Sequence, residues 1–258
     1  MRGAILKCWK NTIEYAVTLS YLLPVMTNDE KIILLRNYDL WCHLSDEEYI
    51  ELNVTHHFVE AKKGEYIYFD SHHLNKLYFV KDGYIKIGFI DEEGNEIIKE
   101  IIKEGEIFGQ FALERNNMNG EFARAYKGNV SLCAFSIEDF EKLLEKKPGL
   151  AIKYSKQVGE KLRRAEFRLV NMLHKDVRSR LLAFFYHLAL SEKYDSSAVS
   201  CTVDNFLTHD DIAKLIGSAR QTVTTILNQL EEEGLIKISR KKILIPDVKK
   251  LAQMVMVT

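Results

Sequence analysis

HDDIAKLIGSARQTVTTILN, His209 to Asn228, meets every positional requirement of two short helices that cross steeply around a tight turn. The fifth residue must be small and is Ala213; the ninth must accept a left-handed backbone and is Gly217. Ile212, Leu215, Ile216, Val223 and Ile226 supply the apolar contacts between the helices. Thr208 with Asp211 three residues on caps the first helix, and Ser218 with Gln221 has the spacing of a capping box for the second. A helix-turn-helix is expected here.

The positions left outward at the start of the second helix are Ala219, Arg220, Gln221, Thr222, Thr224 and Thr225, all short or hydrogen-bonding. Such a face enters a DNA major groove about 12 Å wide. Arg pairs bidentately with guanine, Gln does the same with adenine, and Thr offers a hydroxyl to phosphate or a methyl to thymine. Two readings of Gln221 stay open: it reads a base, or it only closes the capping box. An ordinary helical hairpin with a solvated polar face is the competing account of the whole motif.

Further along, LEEEGLIKISRKKILIP ends the helix at Gly234 and continues into two β-rich runs, Leu235 to Ser239 and Ile243 to Ile245. This is the pattern of a wing. Its turn, Arg240, Lys241 and Lys242, is placed to meet phosphates, with Lys241 at its centre. Thr208, Ser218, Arg220, Gln221, Thr222, Thr224, Thr225 and Lys241 are therefore the candidate DNA-contacting residues.

Composition narrows the classes. The 258 residues allow two domains of ordinary size, and 47% hydrophobic with 28% charged residues is a globular balance. A net charge of −1 means that DNA contact must come from a local surface. From Lys153 to Arg180 there are nine Lys or Arg against three Asp or Glu. The four cysteines, Cys8, Cys42, Cys133 and Cys201, form no C-x-x-C pair, and no metal site is expected. No apolar run approaches the roughly 20 residues of a membrane span, so a cytoplasmic protein without a membrane partner is expected. The opening MRGAILKCWK is basic but lacks a continuous apolar core, so residues 1–27 are set aside as an N-terminal extension; Met26 is an alternative start.

Residues 29 to 52 read as helical, with a capping box at Ser45 and Glu48. Between Thr55 and Ile137 the runs IYF, KLYFV, YIKIGFI, EIIKEII and VSLCAFSI alternate with glycines at the corners, and DEEGNE forms a hairpin turn. This describes a small antiparallel barrel or jelly roll. After Ser136 the pattern is helical, and Pro148-Gly149 separates a short helix from a long one ending near His174. Along the long helix Leu150, Tyr154, Val158, Leu162, Ala165, Leu169 and Met172 recur at steps of three and four, a seam suited to pairing with a second copy. Packing on its own barrel is the alternative. The helix from Asp176 to Ser191 opens the C-terminal domain. The fold class is thus α+β: an N-terminal roll over residues 28–148, a dimerisation helix over 149–175, and a winged helix-turn-helix over 176–258.

In this order the elements resemble the Crp/Fnr family of bacterial transcription regulators over about residues 30 to 246. The most specific parts are LTHDDIAKLIGSARQTVTTIL, DVRSRL at Asp176 to Leu181, and KxGEYI with VKDGYIK in the roll. The resemblance implies a homodimer on a near-palindromic double-stranded promoter site, RNA polymerase as a further partner, and an effector in the roll that resets the two reading helices. It places the effector near Gly109, Gln110, Phe111, Arg124, Ala165 and Glu166.

Departures from the family pattern argue against cyclic AMP. Its cassette needs a Gly-Glu pair and an Arg for the cyclic phosphate. Here Phe108-Gly109-Gln110 replaces the acid by an amide, and Gly120 stands where the Arg is expected; Arg115 and Arg124 are out of register. Ala165 and Glu166 stand where cyclic-AMP-binding members carry hydroxyls. The cofactor stays open, with a haem-based gas sensor as one alternative; the pairs His56-His57 and His72-His73 suit surface or turn placement, because neighbours on a strand alternate faces. Thr225 replaces a common family Arg and implies a half-site altered at one base. Two other classes compete: a cupin-type enzyme, for which no H-x-H spacing occurs in the roll, and a cyclic-nucleotide-sensing subunit acting on a protein, which leaves the helix-turn-helix idle. No nucleophile elbow or P-loop is present, and no enzymatic activity is expected.

Overall fold

The computed structural model describes residues 56–69, 75–109, 120–191 and 199–257. The expectations for residues 1–27, for the capping box at Ser45 and Glu48, and for His72, His73, Gln110, Phe111 and Arg115 lie outside these residues.

Strands β1 (His56–Ala61), β2 (Tyr66–Phe69), β3 (Lys76–Ile90), β4 (Glu96–Ile102), β5 (Ile107–Gly109) and β6 (Glu121–Ser136) form one antiparallel sheet in the order β1-β6-β3-β4, with β2 on β6 and β5 on β3. The expected runs KLYFV and YIKIGFI are one 15-residue strand rather than two. Gly83 bends the strand without ending it: the pairing of β3 with β6 slips on either side of Asp82, and Gly83 takes φ +90°. A Cβ at that position would meet Asn129 O at 2.7 Å, so only glycine allows β3 and β6 to pass so closely. The bend lets the same two long strands serve both halves of the roll.

Alternation along β3 and β6 sends neighbouring side chains into different cores. Leu77, Phe79, Cys133 and Phe135 join the cluster under the helices, whereas Tyr78, Val80, Leu132 and Ala134 face the roll interior. DEEGNE forms the tight β3–β4 turn, in which Asp91 Oδ1 accepts from the backbone of Glu93 and Asn95. Ser136 ends β6 and caps α1 (Ile137–Lys146), accepting from Asp139 N at 3.1 Å.

Pro148 occupies the first turn of α2 (Pro148–His174), where its missing N–H costs nothing. The 27 residues span about 40 Å. Leu150 and Tyr154 are buried against Phe140 and the roll, and Val158 packs on the same cluster. Beyond that point Leu162, Ala165, Leu169 and Met172 are exposed, as are Val170 and Leu173. The expected seam therefore divides, with its first half seated on the chain's own roll and its second half facing outward.

The C-terminal domain contains α3 (Val177–Ser191), β7 (Cys201–Asp204), α4 (His209–Ile216), α5 (Arg220–Glu232), β8 (Lys237–Ile238), β9 (Lys242–Ile245) and α6 (Val248–Val257). Its sheet runs β7-β9-β8, so the wing has a third strand and a closing helix that local patterns did not indicate. Leu181, Phe185, Val223, Leu230, Ile243 and Leu251 form its core. Each fully buried side chain of this kind contributes roughly 1.5–3 kcal/mol.

Candidate functional site

The turn of the helix-turn-helix forms as its chemistry requires. Gly217 is left-handed at φ +65° and ends α4, with its N–H bonded to the last-turn carbonyls. Thr208 and Asp211 make a complete capping box at the start of α4. The capping box expected from Ser218 and Gln221 is not made. Ser218 donates its N–H to Ala213 O, which delays entry into α5 by one residue; Ala219 becomes the N-cap and no side chain caps it. Gln221 is thereby released from the backbone and is exposed at the second helical position.

Arg220, Gln221, Thr222 and Thr225 lie exposed on α5, and Thr224 is half-buried. Arg220 makes no ion pair among the described residues. Thr224 and Thr225 donate their hydroxyls back to Arg220 O (2.9 Å) and Gln221 O (3.1 Å), so both protons are committed within the helix. His209, which sequence reasoning missed, meets Thr224 Oγ1 through Nδ1 at 3.0 Å and joins the two helices. Thr208 donates its hydroxyl to Asp211 Oδ2 at 2.6 Å. In the wing turn Arg240 and Lys241 are exposed, while Lys242 pairs with Asp204 at 2.6 Å.

Asp211 does more than cap. Its Oδ1 accepts from Lys86 Nζ at 2.7 Å and its Oδ2 from the Tyr126 hydroxyl at 2.5 Å, both groups belonging to the roll. Lys86 also lies over the Tyr126 ring, 4.5 Å from its centroid. Next to this contact Tyr84 of the roll stacks on Phe206 with centroids 4.6 Å apart. Burial alone would raise the Asp211 pKa; the hydrogen bonds from Lys86, Thr208 and Tyr126 outweigh it and hold the carboxyl at about 2. The roll thus grips the first helix of the helix-turn-helix and leaves the outer face of the second free. Nothing in local patterning marks Lys86 or Tyr126, which are single polar residues on alternating strands.

The roll interior differs from what the resemblance implies. Gly109, at φ +104°, ends β5 where a Cβ would meet Lys76 O at 2.4 Å, so strand packing already accounts for it. Arg124 is not a phosphate clamp aimed inward: Ala123 and Ala125 take the inner face, and Arg124 on the other pairs with Glu96 at 2.6 Å and lies over Tyr66 and Phe122. One residue after Gly120 comes the buried Glu121, which accepts from Tyr68 at 2.8 Å and Lys99 at 2.7 Å. Tyr78 and Phe108 stack inside with centroids 4.8 Å apart. Ala165 and Glu166 are exposed on α2. His56 and His57 lie in β1, with backbones opposite Phe135 and Ala134. Cys133 and Cys201 are buried thiols, and burial pushes Cys133 up to about 11. No group of three His, Cys, Asp or Glu able to hold a metal occurs among the described residues.

A Crp-like helix-turn-helix domain model matches residues 179–254, and a cyclic nucleotide-binding domain model matches residues 58–147. The global nitrogen regulator of Nostoc sp. (strain PCC 7120) is 30% identical over 184 residues, covering 70% of this chain and 82% of the relative. The chain belongs to the Crp/Fnr family. It is a DNA-binding transcription regulator of that type, with an antiparallel sheet domain before a C-terminal helix-turn-helix. The cAMP-activated global transcriptional regulator CRP of Salmonella typhimurium is 26% identical, with 66% of this chain and 80% of that relative covered. Among solved structures, FixK2 from Bradyrhizobium japonicum has this Crp/Fnr fold with a TM-score of 0.65 at 19% identity, covering 78% of this chain and 98% of FixK2. A CooA mutant from Carboxydothermus hydrogenoformans gives 0.64 at 21% identity, covering 78% and 88%. No helix among the described residues is long and apolar enough to cross a membrane.

Proposed function

We propose that this Crp/Fnr regulator acts as a cytoplasmic homodimer that reads a near-palindromic duplex site through Arg220, Gln221 and the Thr222, Thr224 and Thr225 face of α5. The observation that carries the reading is Arg220: it is exposed, without an ion-pair partner among the described residues, on the first turn of a helix whose partner helix is anchored to the roll. Arg220 reads a guanine, and Gln221, outside any capping box, reads an adenine. Lys241 in the wing, with Thr208 at the start of α4 and Ser218 in the turn before α5, meets phosphate and sets register. Two copies pair along Leu162, Ala165, Leu169 and Met172, so half-sites lie about 34 Å apart.

The working units are an effector unit over residues 28–148, a dimerisation helix over 149–175 and a DNA-binding unit over 176–258, with residues 1–27 outside them. The effector is not cyclic AMP. Gln110 and Gly120 stand where the resemblance expects the ribose-binding acid and the phosphate-binding Arg, and the nearby Arg124 is already paired with Glu96. The protein is not an enzyme; its output is operator occupancy presented to RNA polymerase. Selection of bound duplexes from a random pool, followed by anisotropy titration on the winning site, tests the proposal. An enriched inverted repeat is expected; a chain that enriches no sequence at moderate salt ends it.

A further inference from the structure

A cavity of about 210 Å³ opens where the roll, α2, α3 and α4 meet. Its apolar wall includes Ile101 of β4, Phe167 of α2, Phe184 of α3, Phe206, and Leu215 of α4. The charged groups that reach it are Lys103, Arg164, Arg168 and Arg180 with Glu100 and Glu106, and their partners are unequal. Glu100 and Glu106 are already matched, by Lys161 at 3.1 Å and Arg164 at 3.3 Å. Arg168 and Arg180 meet only backbone carbonyls among the described residues: Lys99 O at 2.6 Å and Gly217 O at 3.3 Å. The Arg180 Nε is buried and has no hydrogen-bond partner among them.

A buried guanidinium N–H without an acceptor costs free energy unless something supplies one. A planar carboxylate is the acceptor whose geometry matches the guanidinium fork, and the apolar walls require a body behind it. We propose that this junction binds a small aromatic monocarboxylate, with its carboxylate on Arg180 and Arg168 and its ring against Phe167, Phe184 and Phe206. His187 adds to the wall, edge-on to Phe167 with centroids 4.1 Å apart. Burial first, then Arg164 and Arg163, lower its pKa, so the imidazole is neutral near pH 7 and adds no charge to the wall.

The placement gives the ligand leverage. Arg180 reaches the carbonyl of Gly217, the left-handed residue of the helix-turn-helix, and the cavity is walled by both domains. An occupant therefore biases how α5 is set against the roll. This goes beyond the proposed function, because the ligand sits at the domain junction and not inside the roll.

Calorimetry of the full-length protein with indole-3-carboxylate, indole-3-carboxamide, acetate and inorganic phosphate tests the assignment. One carboxylate per chain is expected, with the carboxamide, acetate and phosphate each weaker by at least about tenfold. Arg180→Gln should weaken binding by a similar factor. Because Arg180 also holds Gly217, Arg168→Gln is the second variant, with a loss of at least about fivefold. Absence of binding, equal binding of the carboxamide or of the small anions, or indifference to both substitutions overturns the site. The titration contains no DNA. A protein that selects its operator yet ignores the carboxylate sinks this site alone, and one that binds the carboxylate but no duplex sinks the regulator reading alone.

Discussion

Lys86 Nζ and Asp211 Oδ1 lie 2.7 Å apart, a buried ion pair between residues 125 positions apart in the chain. It ties the roll to the first helix of the helix-turn-helix, and Tyr126 completes it from the neighbouring strand. Both charges are withdrawn from water, so the pair is more a determinant of how the domains sit than a source of net stability. Removing one partner leaves the other uncompensated. Lys86→Met is expected to cost about 3–5 kcal/mol in urea unfolding. Combined with Asp211→Asn, the loss should fall short of the sum of the single losses by about 0.5–3 kcal/mol. Additive losses would show that the two groups do not act together.

The same carboxylate sets an acid limit. Its folded pKa, about 2, lies below the ordinary value of 3.8, so the ionised form is favoured by folding. That stabilisation, about 2 kcal/mol, is complete above roughly pH 5 and is lost as pH falls from about 4 through 2. Unfolding free energies of the native chain and of Asp211→Asn should therefore converge over that interval. A gap that stays constant down to pH 2 would assign the acid sensitivity elsewhere.

How far local rules reached depends on whether each feature is local. The helix-turn-helix was legible because its constraints fall within one short stretch: a small Ala213, a left-handed Gly217 and a capping Thr208. Ser218 looked like a cap by spacing alone, but the backbone after Gly217 stays extended for one residue more, and no local signal distinguishes Ser218 from Ala219 as the cap. Strand β7 escaped notice because its four residues, CTVD, become a strand only by pairing with β9 more than 35 residues later. The roles of Lys86 and Tyr126 were invisible for the same reason, since a lone Lys or Tyr on a strand gains meaning only from what the fold brings opposite.

Base reading and phosphate holding should separate experimentally. Arg220→Ala is expected to cost about 1–3 kcal/mol of discrimination at one base pair of the selected site while leaving binding to random duplex nearly unchanged. Lys241→Gln should weaken all duplexes alike and lower the slope of log K against log salt by about one. Anisotropy titrations over a range of salt concentrations measure both. Undiminished operator preference in Arg220→Ala would remove that residue from the reading set.

The divided stripe of α2 makes opposite predictions for its two halves. Leu150 is 4% exposed and packs with Phe140 and Tyr154 on the roll, so Leu150→Ala should cost about 2–5 kcal/mol of fold stability whatever the oligomeric state. Leu162 and Leu169 are 59% and 58% exposed, far more than a long apolar helix face keeps when it has no partner. Placing Glu at both positions puts four like charges in the seam of a symmetric pair, where desolvation and repulsion act together. Sedimentation equilibrium is expected to give a dimer for the native chain and for Leu150→Ala, and a folded monomer for the double Glu variant. If the double variant keeps the native mass, the two copies meet on another face and α2 beyond Val158 has a different partner.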